Sequence, residues 1–203
     1  MRRYLQGTLD FACGIYALVN ALSCTHAIDL NKARIVFRES LEELAARPDI
    51  FQAFCRNQTD HYWLVRCMLA RAGTRYGYSL RIFQPFSNCL LPNTEGEDAL
   101  CDPHLDLYLP ENENPEGPAS MDAVRQEALA VWQALSFWLD ASEKNREKHA
   151  AIFRFHRFLT SCATPVVSHW TTAFQIKKKL LLLHDASSEK GARMEIEQKN
   201  LLP

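Results

Sequence analysis

What the sequence lacks first is an excess of either charge: 23 lysine and arginine residues stand against 24 aspartate and glutamate residues, a formal net charge of −1. No overall field then draws the chain to nucleic acid or to an anionic membrane, and neither partner is expected. It also lacks any CxxC pair. Its seven cysteines, an odd number, stand at 13, 24, 55, 67, 89, 101 and 162, which argues against a zinc ribbon and against a fully paired disulfide framework. A reducing compartment fits that usage, so a cytoplasmic protein is expected. No stretch approaches the eighteen or so consecutive apolar residues that a membrane-spanning helix needs. Met1-Arg2-Arg3, the apolar run Phe11 to Leu22 and Ser23-Cys24 loosely imitate a signal peptide, but Asp10 and Asn20 interrupt it, and a folded N-terminal helix is the better reading. Delivery into another cell as an effector needs no such segment and is compatible with the sequence. There is no internal repeat.

What is present describes an ordinary globular chain. At 203 residues, 47% hydrophobic and 23% charged, one domain spanning 1–203 is expected. Phe11 to Leu22 is apolar on all sides, the mark of a helix in the middle of a domain rather than on its surface. Asp29 or Asn31 can cap a second helix over Leu30 to Ala46, with Ala33, Val36, Phe37, Leu41 and Leu44 at helical spacing. Pro48 opens a shorter one through Cys55, and Asp60 to Ala72 repeats the pattern and stops at Gly73. Tyr78 to Phe83 alternates like a strand. Residues 85–118 then read as a long irregular insertion, rich in proline. It carries eight acidic residues, Glu95, Glu97, Asp98, Asp102, Asp106, Glu111, Glu113 and Glu116, and no lysine or arginine. As a wall or lid it would favour a basic partner; a solvated surface loop explains the same charge without function.

Met121 to Leu139 returns to helix, capped by Ser120. After a charged cluster at Glu143 to Lys148, strands are expected at Ala151 to Phe155, Val166 to Ile176, Leu180 to Asp185 and Arg193 to Glu197, with Lys177-Lys178-Lys179 as a hairpin connection. Helices first and sheet afterwards is the order of an α+β domain, a helical lobe packed on an antiparallel sheet.

The residues that carry chemistry stand at the two ends. Cys13 begins the apolar helix, where the macrodipole and the first-turn N–H groups favour thiolate over thiol. Cysteine catalysis also needs an imidazole, a group to orient it, and donors for an oxyanion. His169, early on a strand, is the candidate base. If the hairpin folds about Lys178, residues 169 and 187 are opposite, and Asp185 on the next strand becomes the candidate orienter. Gln6 can add its side-chain amide to the Cys13 N–H as an oxyanion donor. Each piece has a plain alternative: a buried helical cysteine usually packs, and an aspartate ending a strand usually serves a turn. It is their coincidence in one order that favours catalysis. Asp10, three residues before Cys13, can cap the helix, and His156 is the strongest rival base. Trp170 can shield the pair from water or fill the core on the other face.

This constellation resembles the papain-like cysteine peptidase superfamily, and most of all its compact branch of bacteriocin-processing peptidase-like domains. The resemblance is carried by Gln6, Cys13-Gly14, Tyr16-Ala17, Asn20, His169-Trp170 and Leu183-His184-Asp185, in two windows at about 6–22 and 165–187. Many relatives place proline after the aspartate where this chain has Ala186, and the 85–118 insertion has no obvious counterpart. The resemblance implies a papain-like fold with a Cys13, His169, Asp185 triad and Gln6 in the oxyanion hole, acting without metal or cofactor on a peptide or protein amide. Peptidase, deamidase and acyltransferase chemistry share that machinery. An inactive papain-like interaction module is the alternative. Oligomeric state leaves no signal in the sequence.

Overall fold

The computed structural model describes residues 4, 12–55, 62–78, 129–140, 148–158, 165–177, 180–184 and 194–197. Gln6, Asp10, Asp185, the expected strand after Tyr78 and the 85–118 insertion lie outside them. The chain divides into two compact units, one made of 1–33 with 116–203 and the other of 34–115. The described architecture is α+β: helices followed by a four-stranded antiparallel sheet.

In the first unit, α1 (Cys13–His26) is buried along nearly its whole length, from Cys13 to Cys24 with only Tyr16 partly open. The all-round apolar sequence therefore does make a central helix. It runs four residues past Leu22 and ends at Ala27, which takes a left-handed conformation (φ 51°, ψ 44°) and returns its N–H to the Ser23 carbonyl at 3.1 Å. This turn usually takes glycine, because a Cβ there crowds the following carbonyl.

The sheet is a meander, β1 (Ala151–Phe158), β2 (Pro165–Lys177), β3 (Leu180–His184) and β4 (Met194–Glu197), each paired antiparallel with the next. Lys177 pairs with Leu180, so β2 and β3 are joined by a two-residue connection. Beyond an irregularity between Ala173 and Gln175, Thr172 pairs with His184, the register that a fold centred on Lys178 gives. The extra residue also explains a spacing that simple alternation forbids. Ala173 and Ile176, three apart, reach the same face and join one core with Leu181 and Leu183, because a bulge shifts the alternation by one.

That core is closed by the helix α5, described over residues 129–140, through Trp132, Leu135 and Leu139, with Ala151 and Phe153 of β1 packed at its edge. Trp138 ties the helix to the start of β1: its indole N–H donates to the Ala150 carbonyl at 3.0 Å, and its ring stacks on His149 with centroids 4.3 Å apart. The opposite face of the sheet carries α1, where the Thr172 hydroxyl donates to the Ala17 carbonyl at 2.6 Å. The sheet is thus covered on one face by α1 and on the other by α5.

The second unit is built from α2 (Leu30–Ala45), whose first turn belongs to the first unit, α3 (Pro48–Cys55) and α4 (Tyr62–Tyr76). Asp29, not Asn31, caps α2, its carboxylate accepting from the Lys32 N–H at 2.8 Å. Ala33, Val36, Ser40 and Leu44 form the buried stripe, with Phe37 and Leu41 half-buried beside it. Helix α4 does not stop at Gly73 but continues to Tyr76, and Gly77 ends it at φ +69°. A glycine inside a helix costs only about 1 kcal/mol, and the last turn is held from outside. Glu39 of α2 receives Arg75 at 3.2 Å and the Tyr76 hydroxyl, while Glu43 one turn on receives Arg71. Residues four apart on each helix share a face, so the two rows meet as an antiparallel ladder.

Candidate functional site

Cys13 is the first residue of α1, preceded by Ala12 at the N-cap. Ala12 gives no side-chain acceptor, and no acidic residue stands in the first turn. The positive end of the helix is therefore not offset by a carboxylate within the helix itself. The residue is buried, at 9% exposure.

His169 lies on β2, paired with Phe155 of β1, and is buried. The strand's alternation fixes its face. Thr172 reaches α1 and Ala173 packs among the α5 residues, so Trp170 falls on the α1 face, while His169 and Thr171 fall on the α5 face. Of the two readings of Trp170, filling the core on the face away from His169 is the one the register supports. Cys13 precedes Ala17 by one turn, about 6 Å along the axis, and His169 precedes Thr172 by three residues, about 10 Å along the strand. The two elements are in contact, yet the described register sets His169 on the face of β2 away from α1. His156 lies on β1, paired with Ser168.

Three further features belong to this neighbourhood. The first is a second thiol and imidazole: Cys24 Sγ lies 3.9 Å from His184 Nδ1, on the α1 face because His184 pairs with Thr172. The imidazole also meets the Phe174 ring edge-on at 4.5 Å. Burial pushes the Cys24 thiol up from its ordinary 9.0 to about 12, so it stays protonated and acts as a packing group rather than a nucleophile. The second is Thr171, fully buried, whose hydroxyl meets no hydrogen-bond partner among the described residues. It shares the His169 face, two positions along.

The third is Asn20, fully buried in the middle of α1. Its carboxamide oxygen accepts from the Tyr4 N–H at 2.9 Å, and its nitrogen donates to the Tyr4 carbonyl at 3.1 Å and to the His184 carbonyl at 3.4 Å. One side chain thereby binds the backbone of Tyr4 and the end of β3, satisfying the polar atoms that burial would otherwise penalise. The asparagine belongs to the motif after Cys13, but its partners are 16 and 164 residues away, and no local pattern announces them.

Among the described residues, no three His, Cys, Asp or Glu side chains gather as a metal site requires, and no helix is long and apolar enough to cross a membrane. Cys13, Cys24, Cys55 and Cys67 form no disulfide among the described residues. An α+β arrangement with α1 laid across the middle of a meander is the class these elements define. No family model, curated protein or solved structure matches the chain.

Proposed function

We propose that the protein is a thiol-dependent acyl-transfer hydrolase of papain-like architecture, with Cys13 as nucleophile, His169 as base, Asp185 as its orienting carboxylate and Gln6 as an oxyanion donor. A peptide or protein amide is the substrate class. The observation that supports this reading is the docking of α1 on β2 through Thr172 and Ala17, which makes neighbours of the helix that Cys13 opens and the strand that bears His169; the register that sets the His169 position on the other face counts against it. The Asn20 bond to the His184 carbonyl adds the strand end that Asp185 follows. In the proposed reaction Cys13 gives its proton to His169, its sulfur attacks the carbonyl carbon, and the imidazolium protonates the leaving amine. Water then releases the acyl group by the same base.

A second reading is favoured by the alternation of β2: an interaction module that keeps the fold while Cys13 simply packs. Alkylation with iodoacetamide at pH 6, mapped by peptide mass, separates the two. An ordinary thiol with pKa near ~8.5 is almost inert there, whereas an ion-paired one reacts. Cys55, which is exposed, is the internal standard for ordinary behaviour. Cys13 is expected to react at least ~10-fold faster than Cys55, and His169→Ala to remove the difference. Cys13 reacting no faster than Cys55 would establish the interaction module.

A further inference from the structure

Tyr4 is fixed at two points, one inside α1 and one just past its end. Its backbone N–H donates to the Asn20 carboxamide oxygen at 2.9 Å and its carbonyl accepts from the carboxamide nitrogen at 3.1 Å, so a helix side chain pairs it as a neighbouring strand would. Its hydroxyl donates to the Ile28 carbonyl at 3.2 Å, next to the left-handed Ala27 that ends the helix. Cys24 stands midway between the two anchors, four residues from each. It is buried, with its sulfur toward His184 Nδ1. We infer that Tyr4 is a strap across the C-terminal half of α1, and that its release opens the joint between α1 and the end of β3 and turns Cys24 from a closed thiol into a reactive one. This device does not depend on the proposed hydrolase chemistry.

Strap and joint are coupled through one side chain. The Asn20 nitrogen donates to the Tyr4 carbonyl and to the His184 carbonyl, and the Asn20 oxygen accepts from Tyr4. When Tyr4 leaves, this fully buried carboxamide loses two of those three bonds. An orphaned buried polar group costs more than an ordinary hydrogen bond contributes. The carboxamide regains partners by turning toward water or by admitting water along α1, and either change loosens its hold on His184. Opening also removes the burial that pushes the Cys24 thiol up, which returns it toward the behaviour of an ordinary thiol.

The test is alkylation of Cys24 in the full chain with iodoacetamide at pH 8, mapped by peptide mass. Amide hydrogen exchange across the β1–β2 pairing, followed in parallel, reports unfolding of the whole first unit. Tyr4→Pro deletes the N–H that Asn20 accepts, and Asn20→Asp deletes both donated bonds. Each is expected to raise the Cys24 rate at least ~10-fold while exchange across β1–β2 stays at its wild-type level. Tyr4→Phe keeps both backbone bonds and should raise the rate only ~3-fold. An unchanged Cys24 rate in folded Tyr4→Pro, or a rise matched by β1–β2 exchange, overturns the strap. Should the variants fail to fold, wild type in urea below its unfolding midpoint decides. A Cys24 rate that stays flat while β1–β2 exchange climbs is the local opening a strap requires, and a parallel climb of the two overturns it.

Discussion

The two units are held together by different kinds of bond. Among the described residues of the unit containing α1 and the sheet, the polar links are neutral, and the two that tie α1 to the sheet are very long in sequence: Asn20 to His184 spans 164 residues and Thr172 to Ala17 spans 155. In the unit of α2 to α4 they are charged and closer in sequence, Arg71 to Glu43 spanning 28 and Tyr76 to Glu39 spanning 37. A neutral buried bond is insensitive to salt and costly to break, since the orphaned partner stays dry. A charged pair at a half-open helix face is screened by salt and is worth little alone. The difference predicts which conditions loosen which part of the chain.

Alkali should make the largest distinction. The folded Cys24 thiol resists ionisation until about 12 against an ordinary 9.0, so the stability it lends is complete below pH 9 and is lost as pH rises toward 12. Between pH 9 and 10.5 the loss should reach about 2 kcal/mol. Cys24→Ala should flatten that part of the profile, measured by urea unfolding with hydrogen exchange read at α1 and β2. Tyr76 in the other unit is shifted in the same direction, first by burial and then by its bond to Glu39, so α4 begins to weaken only once pH passes the ordinary tyrosine value near ~10. Simultaneous loosening of α1 and α4 from pH 9 upward would break the comparison.

A smaller effect is expected at the ladder. Glu39→Gln removes the charge that Arg75 meets while keeping an acceptor for Tyr76. It should lower the stability of the second unit by about 1 kcal/mol, because Arg75 is more than half exposed. The gap between wild type and variant should close in about 1 M salt; a salt-independent gap would mean that Glu39 acts by packing. The smallest effect sits at the end of α1. Ala27→Gly relieves the left-handed strain and should raise stability by about 0.5–1 kcal/mol, read as a higher urea midpoint with exchange slowed at α1. An unchanged midpoint would show that the turn is not strained.

Local elements were legible because their causes are local. Apolar residues on every side of α1, Pro48 at the start of α3 and the runs Val166 to Ile176 and Leu180 to Leu183 in β2 and β3 each act within a few positions. The hairpin register followed from three lysines between two apolar runs. Gly73 misled because its helical penalty is small beside the Glu39 contacts that hold the next turn, and those come from another helix. The bulge after Ala173 and the resulting assignment of faces were not legible. Whether His169 or Trp170 lies beneath α1 depends on which core, α1 or α5, claims each face of the sheet. Asn20 could be picked out as part of a motif, but its role depends on partners at residues 4 and 184.

The arrangement of the first unit also bears on how the chain is made. Helix α1, apolar all round, leaves the ribosome early, whereas the sheet that covers it begins roughly 125 residues later. At about 5–20 residues per second, translation leaves that helix without its partner for roughly 6–25 s. During that interval α2 to α4 can assemble on their own neighbours, while α1 presents a greasy cylinder to whatever is nearby. A nascent chain stalled before β1 should therefore be the form most prone to clump and most eagerly held by chaperones.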